Sequence, residues 1–382
     1  MDARQDETRV PRPLKVLYVI DRGVSAGGAE RFAIALAMHL PRDRFDPWVC
    51  TTRRADDATV EALASADIAH VHLGRRTKWD IYRLGKLFTL LRRERFQILH
   101  THKFGSNLWG TLIGRACGVP VIVAHEHTWS YDGNPLRKWL DGRVIGRLAT
   151  RFVAVSAADR ERMVSLEGVP SDKTVVIPTG YVSSGTTYST DLRAELGLQP
   201  SAPLIGVAAV LRPQKRLDIL LEAYVRVRDS VPDAHLVIAG SGQCQGDLEQ
   251  LATRLGVAST VHFLGVRRDV DDILRAVDVG VLSSDWEGSP LFAYECMASG
   301  TPLIATAVGG LPDIVEHGRT GVLVPRRDSA ALAEAVTDLL GDSERRGRFG
   351  AAARERIEQF TIQTSAARFA ELYDALFDKT SS

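Results

Sequence analysis

Cysteine is scarce in this 382-residue sequence: Cys50, Cys117, Cys244 and Cys296 lie far apart and form no Cys-x-x-Cys pair. That spacing argues against a zinc ribbon, a redox dithiol or a disulfide framework, and it fits a reducing cytoplasm. Long apolar runs are missing too. The longest, 204–211, has the length of a strand and falls far short of the ~18–20 residues a transmembrane helix needs. The opening Met-Asp-Ala-Arg-Gln-Asp-Glu is too charged for a signal peptide, so neither secretion nor membrane spanning is expected. Low-complexity tracts and short-period repeats are absent. The net charge is only +1, but it is unevenly spread. Residues 1–180 carry 28 Lys and Arg against 20 Asp and Glu, whereas the remainder carries 20 against 27. A basic front half joined to an acidic back half implies different partners for each.

What the sequence does contain is alternation. Strand-like runs at 14–20, 69–73, 98–102, 121–124, 152–156 and 174–177 are separated by helical patterns such as 29–40, 82–93 and 108–117. A polar stretch at 185–203 reads as a linker, and then the pattern restarts with strands at 204–211, 236–239, 261–264, 279–282, 302–305 and 322–324. Helices over about 328–340, 343–360 and 363–378 end the chain. Strands alternating with helices build a parallel sheet covered on both faces. The expectation is two doubly wound α/β domains, 12–184 and 201–360, facing across a cleft. In such sheets ligands bind at the carboxyl ends of the strands.

The unusual residues fall at those ends. Gly27-Gly28-Ala29-Glu30 follows the first strand, where glycine admits a ligand close to the backbone and a helix start offers free N–H groups. Its spacing does not match a dinucleotide fingerprint. Gly240, Gly242 and Gly246 come nearer to that pattern but lie in the second strand–helix unit of the back half, so a tight turn near a nucleotide is the better reading. Arg212-Pro-Gln-Lys215-Arg216 places cations after the first back-half strand, where they suit a diphosphate. The strongest signal is Ser284-Asp-Trp-Glu287-Gly288-Ser289-Pro290-Leu291-Phe292-Ala-Tyr-Glu295. Pro290 suits a helix start, the amides of Leu291 and Phe292 would face an anion, and the two carboxylates can accept from sugar or ribose hydroxyls. Three His-x-His pairs, His70/His72, His100/His102 and His125/His127, end front-half strands with each pair on one face. A metal site, a polar core and a cleft lining are all compatible with them. Only Glu126 is adjacent, and alternation turns it to the other face. Two basic stretches with aromatics, 75–96 and 136–152, read as amphipathic helices suited to anionic lipid or to water. Nucleic acid is not expected, because no binding module accompanies them.

In combination these residues resemble the retaining glycosyltransferases of family four, which have the GT-B fold of two Rossmann-like domains. The resemblance rests on the Glu-x7-Glu run, Met297-Ala-Ser-Gly-Thr-Pro302, Gly309-Gly310-Leu-Pro-Asp-Ile-Val315, Gly27-Gly-Ala-Glu-Arg31, Val155-Ser156, Val176-Ile-Pro178, Arg212-Pro-Gln-Lys215, Gly240-Ser-Gly242, Phe263-Leu-Gly265 and Thr320-Gly-Val-Leu-Val324. It spans about residues 14–360.

The resemblance implies a nucleotide-sugar donor, UDP- or GDP-linked, in the back domain, and no further cofactor and no metal. Glu295 would hold the ribose and Glu287 would sit against the transferred sugar, with Gly288, Ser289 and Pro290 forming the turn around it. Arg212, Lys215, Gly27 and Gly28 and the amides of Leu291 and Phe292 would hold the diphosphate. Gly240 and Gly242 would lie near the nucleotide, and Gly265 would border the base. His127 would approach the donor sugar from the front domain, with His125 as its rival, and the final helix, 363–379, would cross back onto that domain. Two positions depart from the family pattern: Val210 stands where an arginine is usual, leaving Arg212 to substitute, and Pro178-Thr179-Gly180 replaces Pro-Asn-Gly. The expected reaction is transfer of a sugar to a glycan or lipid-linked acceptor in the cytoplasm or at the inner membrane face. A non-catalytic nucleotide-sugar-binding module, an inverting transferase and a phosphorylase of the same fold are the alternatives.

Overall fold

The computed structural model describes residues 13–23, 28–77, 80–127, 134–182 and 191–381. Seven strands form the first sheet: β1 (Leu14–Ile20), β2 (Phe45–Thr51), β3 (Ala69–His72), β4 (Ile98–His102), β5 (Val121–Glu126), β6 (Arg151–Ala154) and β7 (Thr174–Val176). Six form the second: β8 (Leu204–Ala208), β9 (His235–Ala239), β10 (Val261–Gly265), β11 (Val279–Leu282), β12 (Leu303–Thr306) and β13 (Gly321–Val324). The orders are β3-β2-β1-β4-β5-β6-β7 and β10-β9-β8-β11-β12-β13. Every pairing is parallel. In each sheet the strand order reverses beside the first strand, β1 or β8, and a crevice opens at such a switch point.

The central strands are buried along most of their length because helices cover both faces. Val16–Ile20 of β1 and Leu236–Ala239 of β9 are buried throughout. One strand is not foreseen from the sequence: β2 reads Phe-Asp-Pro-Trp-Val-Cys-Thr, and an internal proline normally counts against a strand. The register explains why it is tolerated. Thr52 donates to Ile20 of β1, and Thr51 accepts from Leu73 beyond β3, so alternation turns Pro47 toward the β3 side. Pairing with β3 starts only at Trp48, so the missing N–H of Pro47 takes nothing from the ladder.

The stretch read as a linker is partly structured. A short helix, Leu192–Glu195, inserts the fully buried Leu192 into the back-domain core, and Arg193 donates to the Ala202 carbonyl and the Asp278 carboxylate. The chain crosses back at its other end. Tyr181 donates to the Phe360 carbonyl at 2.6 Å and accepts from Ile362 at 2.9 Å. From there the helix Ile362–Ser381 lays Ile362, Ala366, Phe369, Ala370, Tyr373 and Leu376 into the front-domain core. Burying a side chain of the size of Phe369 stabilises that seam by roughly 1.5–3 kcal/mol.

Gly180 sits where this seam is tightest. A Cβ there would lie 2.7 Å from Ile362 Cα and 2.9 Å from the Thr361 carbonyl oxygen, both of them backbone. We expect Gly180→Ala to lower stability by about 1–3 kcal/mol, because backbone must move to admit the methyl. Gly347 is a control: it lies mid-helix in Ser343–Arg356 and is exposed, with open space around its Cβ position. Gly347→Ala should stabilise by up to about 1 kcal/mol. Thermal unfolding midpoints of the two variants should move in opposite directions.

Candidate active site

The carboxyl ends of both sheets open on one cavity of about 630 Å³. From the back domain, Val210, Arg212, Gln214 and Lys215 reach it after β8, Glu287–Phe292 after β11, and Glu295 from the helix Leu291–Ser299. From the front domain come Gly28, Ala29, Glu30, Lys103, Glu126, His127, Arg137 and Thr179. The cavity therefore collects His127, Gly28, Arg212, Lys215, Glu287, Gly288, Ser289, Pro290, Leu291, Phe292 and Glu295, all singled out from the sequence. Gly27 lies outside the described residues.

Gly240, Gly242 and Gly265 do not line it. Gly240 and Gly242 lie against the loop after β8 instead: a Cβ on Gly240 would fall 1.9 Å from the Ala209 carbonyl oxygen, and one on Gly242 2.3 Å from that of Leu211. Their chain holds that loop through the bonds of Ala209 to Ala239 and Leu211 to Ser241. The pattern that comes nearest to a dinucleotide fingerprint is thus a backbone support one layer behind the cleft. Gly265 lies at an irregularity in the β9–β10 register, with a positive φ of 65°.

Two loops fix the back wall. Pro213–Lys215 forms one tight turn, which ends at Arg216 in the left-handed region at φ 46°. Arg216 reaches Asp218 at 2.8 Å and Asp285 at 3.3 Å, and Asp285 also takes Arg327 at 2.7 Å. Arg327, and then Arg216, hold the Asp285 carboxyl below the usual range. The Ser283 hydroxyl donates to the Lys215 and Arg216 carbonyls, and the Asp285 amide donates to Gln214. Of the three cations in this segment, Arg216 is engaged in joining the loops, and only Arg212 and Lys215 face the cavity. Lys215 Nζ lies 2.6 Å from Glu287 Oε1, which also accepts from the Ser284 hydroxyl at 2.6 Å. Beside this pair the helix Leu291–Ser299 begins at Pro290, and its first-turn amides have no intrahelical acceptor. An ammonium, a guanidinium and a helix N-terminus converge here, which is an arrangement for phosphate oxygens.

The front wall supplies charged groups that spacing did not reveal. Glu30 accepts from Lys103 at 2.5 Å, and Arg137 reaches Glu126 at 3.4 Å. Glu126, expected to face away from the histidines, lies at the end of β5 and joins His127 in the cavity lining. Lys103 could have been found from its place directly after β4. Arg137 belongs to a stretch read as a solvated or lipid-facing helix, and nothing in the sequence points it inward. Between the two rival histidines the geometry distinguishes clearly: His127 lines the cavity, and His125 is fully buried behind it. Burial pushes both rings well below the ordinary histidine range, so they are neutral at pH 7.

At Gly288 the two domains come into backbone contact. A Cβ on Gly288 would fall 2.4 Å from the His127 carbonyl oxygen, and the Ala157 amide donates to Asp313 at 2.8 Å. Two parallel α/β domains closed over a cleft in this way define the class: the GT-B fold of two Rossmann-like domains. The comparisons agree. Residues 26–183 match Glycosyltransferase Family 4, and residues 189–356 match Glycosyl transferases group 1. D-inositol 3-phosphate glycosyltransferase of Streptomyces scabiei (strain 87.22) is 31% identical over 389 residues, covering 92% of this chain and 86% of its own length. UDP-Gal:alpha-D-GlcNAc-diphosphoundecaprenol alpha-1,3-galactosyltransferase of Escherichia coli is 29% identical over 276 residues, covering 69% of this chain and 71% of its own. Anabaena Alr3699/HepE, solved in complex with UDP-glucose, has the same fold, with a TM-score of 0.80 at 24% identity over 95% of this chain and 100% of that one. The chain belongs to the group 1 glycosyltransferases of family four.

Glu295 carries the clearest pH signature of the site. Burial raises its pKa to about 7; Arg31 across the cleft opposes this and Asp271 adds to it. A carboxyl whose folded pKa is raised binds more protons folded than unfolded, so stability falls as pH rises from about 4.5 to about 7. Glu295→Gln removes that loss. The melting temperature of the variant minus that of the wild type should therefore grow across this window and then level off. A flat difference would contradict the raised carboxyl pKa.

Proposed function

We propose that the protein is a retaining transferase that moves a sugar from a UDP-sugar to a hydroxyl of a glycan or lipid-linked acceptor. The observation that carries this reading is the Lys215–Glu287 pair, set beside the helix start at Pro290 and facing His127 across the cleft. UDP rather than GDP is favoured because the Escherichia coli relative is named for a UDP-Gal donor and Anabaena Alr3699/HepE was solved with UDP-glucose.

The chemistry follows from the charges. Breaking the glycosidic bond to a diphosphate develops negative charge on the leaving oxygens. Lys215, Arg212 and the amides of Leu291 and Phe292 meet that charge as it develops, so they stabilise the transition state more than the ground state. No metal is needed for this neutralisation. Glu287, held by Lys215 and Ser284, accepts hydroxyl protons of the transferred sugar, and Glu295 takes the ribose diol. The carboxylates of the front wall are engaged by cations, Glu30 by Lys103 and Glu126 by Arg137. Retention then proceeds by front-face attack, with the departing phosphate taking the acceptor proton.

The acceptor reading draws on the basic front half and on its exposed apolar side chains. Tyr82 is 74% exposed, Leu136 64% and Trp139 56%, in the same segments as Lys86, Arg92, Arg93 and Lys138. Among the described residues no helix is long and apolar enough to cross a membrane. These segments suit peripheral contact with anionic lipid at an inner membrane face, where a lipid-linked acceptor would be presented.

Calorimetry with UDP should show binding that weakens about tenfold or more in Glu295→Ala, the scale of a lost charge-assisted hydrogen bond. Tighter binding of GDP would move the donor assignment, and no binding of either nucleotide would overturn the reading. Lys215→Met should lower kcat on the matching UDP-sugar by about 100-fold or more. Product with inverted anomeric configuration, or a glycosyl-enzyme trapped by mass spectrometry, would rule out front-face retention. Sedimentation with vesicles containing anionic lipid should pull the protein down at low salt and release it at high salt. Trp139→Ala should weaken that association; equal recovery with neutral vesicles would remove the membrane element.

A further inference from the structure

Behind His127 lie three more histidines that the transfer chemistry does not use. His100 and His102 end β4, and His125 stands directly opposite His102 on β5 in the sheet register. Their exposures are 0%, 1% and 0%. Hydrogen bonds fix how these rings present their nitrogens. Tyr373 donates to Tyr18 at 3.2 Å, so the 2.6 Å contact between His100 Nδ1 and Tyr373 is donated by the imidazole. His100 Nε2 is then a lone pair, and His125 Nδ1 donates to it at 3.3 Å. That leaves His125 Nε2 as a bare lone pair, buried and without a partner. His102 engages its Nδ1 with His127 Nε2 at 2.9 Å, and its own Nε2 is likewise buried without a partner.

A buried ring nitrogen without a partner is costly whether it holds a proton or a lone pair, and two of them on facing residues of adjacent strands call for an explanation. One nitrogen from each of His100, His102 and His125 lies within 4.8 Å of the others. An imidazole whose Nδ1–H is held by a neighbour, with its Nε2 lone pair exposed inward, is the orientation of a metal-ligating histidine. The surrounding shell is aromatic: Phe32 packs edge-on against His125, and Phe369 and Tyr373 of the last helix pack against His100. Burial keeps all three rings neutral, the form that ligates.

We propose that His102 and His125, with His100 beside them, bind a transition-metal cation that prefers imidazole nitrogen, represented by Zn2+. The donor set holds no carboxylate, which disfavours Mg2+ and Ca2+. This site lies in the front domain, one hydrogen bond behind His127, and it does not rest on the transferase reading.

The test uses the full chain freed of metal by chelator, titrated with Zn2+ against a competing chelator and, in parallel, with Co2+ followed by its visible spectrum. We expect one tight equivalent in the wild type and in the double variant His70→Gln/His72→Gln, which removes the histidines of the β3 edge. In His102→Gln or His125→Gln the affinity should fall at least tenfold and the Co2+ spectrum of imidazole ligation should be lost. Where circular dichroism shows that either variant has not folded, the wild type decides: nitrogen spectra of histidine-labelled protein should move two Nε2 resonances on adding one equivalent of Zn2+. A wild type that binds no Zn2+ stoichiometrically overturns the proposal, as does binding that survives in folded His102→Gln and His125→Gln. UDP binding measured on the metal-free chain keeps the two readings separate, since it tests the donor site alone.

Discussion

A Cβ on Gly309 would stand 1.7 Å from the Glu287 carbonyl oxygen, and one on Gly310 would stand 2.0 Å from that of Gly288. With Gly288 itself against the His127 carbonyl, three successive layers of chain are stacked backbone on backbone, and the last contact crosses from one domain to the other. The Gly310 amide donates to Glu287 at 3.1 Å and locks the arrangement. The rest of the cleft depends on this contact. It decides how far Glu287 projects, hence where Lys215 is held, and how closely the front wall can approach the helix that starts at Pro290. A side chain at any of these glycines would force the stacked layers apart by about 1 Å, enough to misplace reacting atoms.

Much of this was legible from sequence because it is local. The β–turn–α units announce themselves through apolar runs followed by glycine and proline, and the segment 284–295 carries turn, helix start and two carboxylates within twelve residues. What was not legible is set by topology. Pro47 hides β2 because proline counts against a strand unless one knows that β3 begins pairing a residue later. Glu30 meets Lys103 only because the sheet order places β1 next to β4. The turn at Gly240 imitates a nucleotide loop because close approach of backbone to backbone and of backbone to phosphate demand the same residue; only the neighbour tells them apart. Leu192 lies in a stretch polar enough to pass for linker, and its burial depends on a partner core far away in the chain.

The electrostatics of the cleft have a common form. Glu30, Glu126 and Glu287 are each held by a cation, which limits the desolvation cost of a buried ion. Glu295 differs. It faces Arg31 without a direct bond among the described residues and titrates close to neutrality, so its charge responds to what binds beside it.

The returning helix has a consequence for how the molecule is made. Phe369 and Tyr373 belong to the front-domain core, yet they follow the whole second domain along the chain. The first domain emerges with a cavity where those rings belong, and with His100 and Tyr18 lacking the Tyr373 hydroxyl between them. It cannot close before the second domain has been synthesised. Folding of this chain is therefore not vectorial, and for the roughly 10–40 s that the second domain takes to be translated the front domain lacks the helix that completes its core.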